Sequence, residues 1–412
     1  MVVKTQNQPT AALPTHKAAP AKDEKVKIGH IPRFEFDTYE MTVGDKVYPI
    51  LNKGMKFAVY YDTDKNGKLS LEEMIEASKR AVNDPDDKTN VEDFLLQVRQ
   101  HMIGQPSVYK DDYPSLEGIY SRMYSIAAAN PDRVDVVNIG QSTEGRPILA
   151  MRLSNDVHSE ESKNKPSVIV TGNIHAREWI TNDVVATASE KLLAGDAEGA
   201  LEDMEIWMLP NVNPDGYVYT REVDPLWRKN TMRNDQGEVT GVDLNRQFPH
   251  YYRIKGDSKG SYLDDFGAND QPNLDMYRGE GPLVEPEAKV IKNLLDQERN
   301  SLGLLDVHSF GQLLISGSGT HDVKPEEYES ICNAMNGAME GVDYKLLPDN
   351  GLYPVSGGLA SYVDSLGKVG LVMETAQSFQ PGPEKRDIEV DRASDAVVEF
   401  VRQMQARAHS RS

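Results

Sequence analysis

The stretch Gly172-Asn173-Ile174-His175-Ala176-Arg177-Glu178-Trp179 places a histidine and a glutamate three residues apart. It comes directly after the apolar run 167–171, Ser-Val-Ile-Val-Thr, which predicts a strand buried in a parallel sheet. Ligands of such sheets bind at the carboxyl ends of the strands. An imidazole and a carboxylate at that edge can supply two of the three protein ligands of an open zinc site. Taken alone, however, the pattern His-x-x-Glu favours a hydrogen-bonded histidine beside a surface acid, so its interpretation depends on residues further along the chain.

Strand-like and helix-like segments alternate from about residue 113 to the end. This alternation predicts an α/β domain over residues 105–412, with a mixed, mostly parallel central sheet flanked by helices. Four strand-like runs stop just before polar residues, and these residues are His175, Asn211, His308 and Glu374. Polar groups at several strand ends are expected of an active site on an open sheet.

His308 follows His175 by 133 residues (308 minus 175) and can complete a set of three zinc ligands. The fourth position is then left to water, whose pKa the metal lowers towards ~7. Glu374 can accept the proton of that water, and Arg228 and Arg246 can hold anions. Each of these three residues also has a plainer interpretation, as a strand-end acid or a surface ion-pair partner.

The composition limits the class of protein. Of 412 residues, 39% are hydrophobic and 27% are charged, which is typical of a globular chain with two or more domains. The net charge of -20 argues against nucleic acid or an anionic membrane as the main partner, and no apolar run approaches the ~20 residues that span a bilayer. The single cysteine, Cys332, excludes an internal disulfide framework. No signal peptide is visible, which favours the cytoplasm unless a leader has been removed, and we expect a monomer.

The N-terminal quarter has a different character. Residues 1–28, rich in Pro, Ala and Lys, predict a disordered tail. Residues 62–73 fit the twelve-residue EF-hand calcium loop without a mismatch. The loop pattern assigns calcium contacts to side-chain oxygens and one backbone carbonyl, and the six positions are Asp62, Asp64, Asn66, Lys68, Ser70 and Glu73.

A second, degenerate loop begins at Asp84, lacks glycine at its sixth position and has Leu95 at its twelfth. We expect this loop to bind no metal and to pack Val91 against Leu69, where calcium loops form a short strand. Residues 29–104 are therefore predicted to form a small all-α EF-hand pair with one intact loop. The plainer interpretation is an acidic turn that caps a helix, but all six ligand positions of the first loop are filled.

Further motifs occur in an order that resembles one family. From about residue 113 to 405 the chain is similar to the zinc carboxypeptidases of the pancreatic carboxypeptidase A/B type. The segments that carry the resemblance are residues 144–148, 175–179, 213–217, 226–229 and 241–246, His308-Ser309, Tyr353 with Ser356-Gly357-Gly358, and Glu374. Together they are far more specific than any one of them.

The resemblance implies a catalytic zinc ion and a role for each residue near it. The residues implied as zinc ligands are His175, Glu178 and His308. Asp243 resembles the acid that orients one of the zinc histidines. Glu374 resembles the general base that deprotonates the zinc-bound water, and Arg228 resembles the cation that stabilises the tetrahedral oxyanion.

The resemblance also implies how substrate is held. Asn245 and Arg246 resemble the clamp on the terminal carboxylate of the peptide, Tyr353 resembles a mobile tyrosine that closes over the last residue, and Arg177 resembles a contact to the peptide further upstream. At the base of the specificity pocket the chain has Ala360, where the members that complement trypsin carry an aspartate. Alanine predicts a preference for apolar or aromatic C-terminal residues, although Asp364 lies close in the sequence.

The sequence therefore predicts a zinc exopeptidase that acts on the C-termini of peptides or proteins and carries a calcium-binding EF-hand module. Two alternatives stay open. One is a catalytically inactive binding module on the same fold, and the other is a calcium-sensing scaffold whose C-terminal domain serves only for interaction.

Overall fold

The computed structural model describes residues 110–250, 270–317, 322–348 and 355–411, together with the backbone of three short N-terminal strands. These strands are β1 (Tyr39–Val43), β2 (Lys46–Ile50) and β3 (Lys68–Leu69). They form a sheet in the order β2-β1-β3, in which β1 is antiparallel to β2 and parallel to β3.

The prediction of an all-α module over residues 29–104 is wrong for these strands. Residues 39–43 alternate apolar and polar side chains, and residues 46–50 are rich in strand-forming Val, Tyr and Ile. Gly44-Asp45 separates the two runs, a pattern that favours a hairpin and that the helical interpretation overlooked. The short strand expected at Leu69 is present, but Leu69 pairs with Met41. Val91 lies outside the described residues, as do the tail 1–28 and the calcium-loop positions Asp62, Asp64, Asn66, Ser70 and Glu73.

A second sheet of eight strands forms the core of the C-terminal domain. Its strands are β4 (Val134–Gln141), β5 (Pro147–Leu153), β6 (Ser167–Gly172), β7 (Glu205–Leu209), β8 (Ser301–Ser309), β9 (Leu313–Ser316), β10 (Lys345–Leu347) and β11 (Val369–Thr375). They lie in the order β10-β9-β11-β8-β6-β7-β5-β4. The four central strands, β11, β8, β6 and β7, are mutually parallel, and antiparallel pairing occurs towards both edges. The mixed, mostly parallel sheet predicted from the sequence is confirmed.

Helices cover both faces of this sheet. They are α1 (Leu116–Ala129), α2 (Ile180–Ala194), α3 (Ala200–Asp203), α4 (Pro214–Glu222), α5 (Pro286–Gln297), α6 (Pro325–Ala338), α7 (Leu359–Ser365) and α8 (Pro383–Arg411). In addition, the segments Ser162–Asn164 and Leu244–Arg246 are short 3₁₀ helices. In the part of the chain that the structure describes, no helix combines the length and apolar character needed to cross a membrane.

Alternate residues of the central strands belong to two separate apolar cores. Val168 and Val170 of β6 pack with α1, α2, α6 and α8, whereas Ile169, between them, packs with α5 and α7. This follows from the two-residue period of a strand, which sends successive side chains to opposite faces. Burial of both faces explains why β6 and β8 are mostly apolar, with Asp306 of β8 as an exception before its carboxyl end.

Candidate active site

The ends of the central parallel strands bring together the polar residues that the sequence singled out. His175 and Glu178 lie in the turn after β6, His308 lies near the end of β8, and Glu374 lies near the end of β11. Glu374 is the register partner of His308 in the parallel pairing of β8 and β11. The sheet therefore places residues that are far apart in sequence at one edge.

The turn that carries His175 is held by Asn173. Asn173 has a left-handed backbone with φ of 56°, which asparagine tolerates better than most residues. Its side-chain amide donates to the carbonyls of His175 and Glu178 at 3.2 and 3.1 Å, and its side-chain oxygen accepts from Asn211 at 3.1 Å. Because the turn is buried and hydrogen-bonded, its side chains have fixed directions.

His175, Glu178 and His308 converge on one point. The two Nδ1 atoms of His175 and His308 lie 3.0 Å apart, and each contacts an oxygen of Glu178, at 2.9 and 3.0 Å respectively. All three residues are buried. Two imidazole nitrogens and a carboxylate that face each other form a donor set suited to Zn²⁺. Among the described residues, this is the one cluster of three or more such side chains that can hold a metal ion.

The opposite nitrogen of each histidine faces a buried aspartate. His308 Nε2 lies 2.7 Å from Asp306 Oδ2, and His175 Nε2 lies 3.3 Å from Asp243 Oδ1, a longer contact with poorer hydrogen-bond alignment. Asp243 also accepts from Arg228 Nε at 2.9 Å. Asp306 was missed in the sequence, although the spacing Asp306-x-His308 on a predicted strand places both side chains on one face.

Electrostatic surroundings shift the pKa values of the charged groups in the site. Burial raises the pKa of Asp243, but Arg228, Arg246 and His175 outweigh this effect and hold it well below its usual range. Burial lowers the pKa of His308, yet Asp306 and Glu178 raise it well above the ordinary value for histidine.

The pKa of Glu374 is raised, in contrast to that of Asp243. Glu374 is partly exposed towards the pocket, but the dense surroundings still desolvate its carboxyl group and raise its pKa to about 8, with His308 and Arg228 opposing and Glu178 adding to the shift.

A pocket opens beside the metal-binding cluster formed by His175, Glu178 and His308.

 Its lining includes His175, His308 and Glu374, together with the polar residues Arg228, Asn245 and Arg246 and an apolar wall made of Ile315, Val355, Leu359, Ala360 and Val372. The pocket therefore combines the metal-binding cluster, two guanidinium groups and an apolar recess in one space.

Asn245 and Arg246 are placed by the short helix Leu244–Arg246 and by α7. Asn245 Oδ1 accepts from the backbone N–H of Leu359 at 2.8 Å, which joins the start of α7 to this helix. Arg246 is buried and donates from Nη1 to the carbonyl of Asn245 at 2.7 Å. Both side chains line the pocket.

Of the two remaining predicted substrate contacts, Arg177 is among the described residues and Tyr353 is not. Arg177 is buried, donates from Nη1 to Asp275 at 2.9 Å and to the carbonyl of Leu226 at 3.0 Å, and lies with its guanidinium carbon 4.4 Å from the ring centroid of Phe379. These partners lie 49 to 202 residues away in sequence, so no local pattern indicated them. Tyr353 lies outside the described residues.

Ala360 and Asp364 occupy different environments. Ala360 lines the pocket, whereas Asp364 accepts from the hydroxyl of Tyr328 at 2.8 Å and is fully buried. Gly317 lies against the Asp364 side chain, so that even a Cβ atom at residue 317 would overlap it. The charged residue is thus directed away from the pocket, towards α6.

The fold and the site together define a class of protein: an α/β domain with a buried two-histidine, one-carboxylate cluster at the carboxyl edge of a central parallel sheet. The sequence profile of the zinc carboxypeptidases, peptidase M14, matches residues 119–382. The chain therefore belongs to the zinc carboxypeptidase family, and the residues present fit the zinc ion that gives the family its name.

Individual relatives agree with this assignment. Carboxypeptidase A4 from Mus musculus is 30% identical over 257 residues, which are 60% of this chain and 58% of the mouse protein. Metallocarboxypeptidase A from Trichophyton rubrum is 31% identical over 275 residues, 63% of this chain and 62% of the fungal protein. The chain thus covers less than two thirds of the length of these relatives.

The fold is also shared with solved structures. Carboxypeptidase A from Helicoverpa armigera superimposes with a TM-score of 0.62 at 25% identity, covering 79% of this chain and 82% of that one. Bovine thrombin-activatable fibrinolysis inhibitor, solved in complex with tick carboxypeptidase inhibitor, gives a TM-score of 0.61 at 24% identity, covering 74% of this chain and all of that one. At that identity the second likeness concerns the fold alone.

Proposed function

We propose that this protein is a zinc-dependent exopeptidase that removes the C-terminal residue from peptides or proteins. The observation that carries the proposal is that one pocket is lined by two members of the metal-binding cluster, a carboxyl group and two guanidinium groups. When bound, zinc would polarise the scissile carbonyl and make a water molecule acidic enough to attack at neutral pH. His175, Glu178 and His308 would hold the ion.

Glu374 is the group we assign to proton transfer. It opens into the pocket near the end of β11, in register with His308, and it is the one carboxyl group among the residues that line this pocket. There it would accept a proton from water and deliver it to the amine that leaves when the peptide bond breaks. Gln at this position would retain the shape and lose the proton acceptor.

Arg228 is the group we assign to charge stabilisation. It lines the pocket, and its Nε is held by Asp243 at 2.9 Å, which leaves the guanidinium at a fixed position next to the metal-binding cluster. A fixed cation stabilises an oxyanion without the cost of reorganisation that a mobile one incurs. Asp243 would therefore support Arg228 as well as His175.

Asn245 and Arg246 support cleavage at a free C-terminus. Arg246 presents a buried cation that suits a planar carboxylate, and the Asn245 side chain is fixed by the backbone of Leu359. An enzyme that cuts within chains has no use for such a clamp. Tyr353 and Arg177 are proposed as further substrate contacts on the basis of the family resemblance.

We further propose a preference for apolar or aromatic C-terminal residues. The apolar wall of the pocket includes Ala360, and the carboxylate of Asp364 accepts a hydrogen bond from Tyr328 and is not part of the lining. A cationic terminal side chain would therefore lose its hydration there without gaining a charged partner.

The test uses pairs of peptides that differ only at the C-terminus. Peptides ending in a free Phe or Leu should be cleaved, the same peptides with an amidated C-terminus should be cleaved at least about tenfold more slowly because the clamp loses its anion, and peptides ending in Lys should be poor substrates. Equal rates on free and amidated peptides would refute the exopeptidase proposal. Rapid cleavage of the Lys peptides would refute only the proposed preference.

Calcium binding by residues 62–73 is a separate proposal. It is supported by the six filled ligand positions of the loop and by the strand at Lys68–Leu69 within it. Substrates are expected to be peptide or protein C-termini. The alternatives of an inactive binding module or a calcium-sensing scaffold have less support, because metal ligands, carboxyl group and guanidinium groups share one pocket.

A further inference from the structure

We propose that Asp306 is a positioning residue for the zinc ligand His308, fixing both the direction of its ring and the nitrogen that carries the proton. This inference rests on the proposed zinc-dependent function. It concerns a residue on β8 that lies two positions before His308 and therefore projects from the same face of the strand.

Both oxygens of the Asp306 carboxylate are engaged. Oδ2 lies 2.7 Å from His308 Nε2, and Oδ1 accepts from the hydroxyl of Thr171 at 2.7 Å. Thr171 is the register partner of Asp306 in the parallel pairing of β6 and β8, so the carboxylate is held across the strand that leads to His175. All these side chains are buried. A carboxylate fixed in this way gives the imidazole ring little freedom to rotate.

The distances also indicate which nitrogen of His308 carries the proton. Asn245 Nδ2 lies 3.3 Å from Nε2 and can only donate, whereas Asp306 at 2.7 Å can only accept when ionised. The Asn245 orientation is set by its Oδ1, which accepts from Leu359. The shorter contact favours Nε2–H donating to Asp306. The lone pair of Nδ1 then faces Glu178 and His175, where the metal would bind.

The two aspartates behind the histidines are not equivalent. Asp243 is shared between His175 and Arg228, and its contact to His175 is the longer one, at 3.3 Å. Asp306 receives one hydroxyl from Thr171 and otherwise faces His308. Its negative charge therefore acts more directly on the ring, making Nδ1 a stronger donor to a metal. We expect His308 to depend on Asp306 more than His175 depends on Asp243.

The experiment measures zinc affinity of the full chain by competition with a chelating dye. Asp306→Asn keeps the shape of the side chain and an oxygen that can accept from Thr171, but it removes the charge. We expect the zinc dissociation constant to rise by about 10- to 100-fold. The d–d absorption bands of the cobalt-substituted protein should shift as well, because the donor strength of His308 changes; a residue with only a structural role would leave these bands in place.

Asp364→Asn is the matched control. Asp364 is an equally buried aspartate that accepts a hydrogen bond from a hydroxyl, that of Tyr328, and it is not among the residues that line the pocket of the site. Its zinc affinity and cobalt spectrum should equal those of the wild type. If Asp306→Asn does not fold, Asp306→Ser serves instead, because it is smaller, uncharged and able to accept from His308, and the same weakening by about tenfold or more is expected.

The outcomes separate this inference from the proposed function. A folded Asp306 variant whose zinc affinity and cobalt spectrum match the wild type would overturn the inference while leaving the exopeptidase proposal intact. In a second case the wild type binds zinc but cleaves no peptide, and Asp306→Asn binds zinc more weakly than the wild type. That result would support the inference and refute the exopeptidase proposal. Failure of the wild type to bind zinc would refute both.

Discussion

Individual residues in this site were predictable to the extent that the chemistry constrains their type. His175, Glu178 and His308 follow apolar runs. Because all three are residue types that bind metals and all three come after predicted strands, the sequence alone predicted that they share one site. Asp306 was missed because an aspartate inside an apolar run only weakens the strand prediction, and its contact to His308 is visible only in the structure. The contacts of Arg177 to Asp275 and Phe379 depend on long-range packing, which local sequence does not encode.

At Glu374 we predict that substitution by Gln abolishes most of the catalysis and spares the metal. Loss of a positioned proton acceptor costs about 10²- to 10⁴-fold in kcat, whereas the three proposed zinc ligands stay unchanged. Steady-state kinetics on a peptide ending in Phe, together with zinc content of the purified variant, provides the measurement. A variant with full zinc content and wild-type kcat would contradict the role assigned to Glu374.

Glu287 gives a prediction about stability against pH. Its side chain is fully buried at the start of α5, next to Glu285, and accepts from Thr143 and from Asn230. Burial raises its pKa from an ordinary 4.5 to about 7, with hydrogen bonds opposing and Glu285 adding to the shift. The unfolded chain therefore ionises first as pH rises. Protonated Glu287 contributes fully to the free energy of unfolding below pH 4.5. This contribution declines between pH 4.5 and 7 and is lost above pH 7.

Glu287→Gln removes this titration, so the difference in unfolding free energy between variant and wild type should grow in favour of the variant from pH 4.5 to 7, by up to about 3 kcal/mol. Urea unfolding at several pH values gives the difference. The measurement is how this difference in unfolding free energy changes with pH. Replacing one acceptor by an amide that faces Asn230 also destabilises the variant, but by the same amount at every pH. A difference that is flat between pH 5 and 8 would contradict the prediction.

At the level of elements, α7 is packed on β11 through a glycine. A Cβ atom at Gly370 would overlap the backbone carbonyl of Ala360, in the first turn of α7, and would lie against the backbone nitrogen of Asp364. Because these are backbone atoms, the neighbour cannot move away cheaply. The close approach places Ala360 at the wall of the pocket, so the packing of this helix and the width of the recess depend on the same residue.

Gly370→Ala is therefore predicted to destabilise the protein by about 1–3 kcal/mol and to change the relative rates on peptides that end in large and small apolar residues, since α7 must shift. Gly337→Ala is the matched control, because Gly337 lies exposed in α6 and an added Cβ meets nothing within 4 Å. That substitution should be neutral or stabilise by up to about 1 kcal/mol, without an effect on selectivity. Equal unfolding midpoints for the two variants would contradict this account of α7.

On the scale of the whole molecule, the central parallel strands were predictable and the strand order was not. Uninterrupted apolar runs indicate strands buried on both faces, and all four predicted runs are strands of the sheet. The order within the sheet depends on pairings such as Thr171 with Asp306, which are separated by 135 residues. A hydrophobic pattern determines which face of a strand is buried, not which strand lies beside it. Strands β9 and β10, of four and three residues at one end of the sheet, are too short for periodicity to indicate their direction.

Zinc should link distant parts of this fold. The turn after β6 and the end of β8 both contribute ligands, so an ion that binds the native state and not the unfolded chain stabilises it by about 4 kcal/mol at a thousandfold excess over its dissociation constant. We predict that a chelator lowers the melting temperature by about 5–10 °C and that zinc, added in excess, restores it. Calcium added in its place should not restore it. An unchanged melting temperature after verified zinc removal would contradict this coupling.

Calcium gives the second whole-molecule prediction, and it can be separated from zinc by mutation. Glu73 fills the twelfth position of the loop, where both carboxylate oxygens contact calcium, whereas the neighbouring Glu72 occupies a position that the loop pattern does not use for binding. Glu73→Gln should weaken calcium binding in calorimetry by more than about tenfold, and Glu72→Gln should leave it unchanged. If the loop also influences the catalytic domain, calcium at constant zinc should change the melting temperature or kcat/KM of the wild type and of Glu72→Gln but not of Glu73→Gln. Calcium binding without either change would limit the loop to local structure, and equal calcium affinity in the two variants would refute the EF-hand assignment itself.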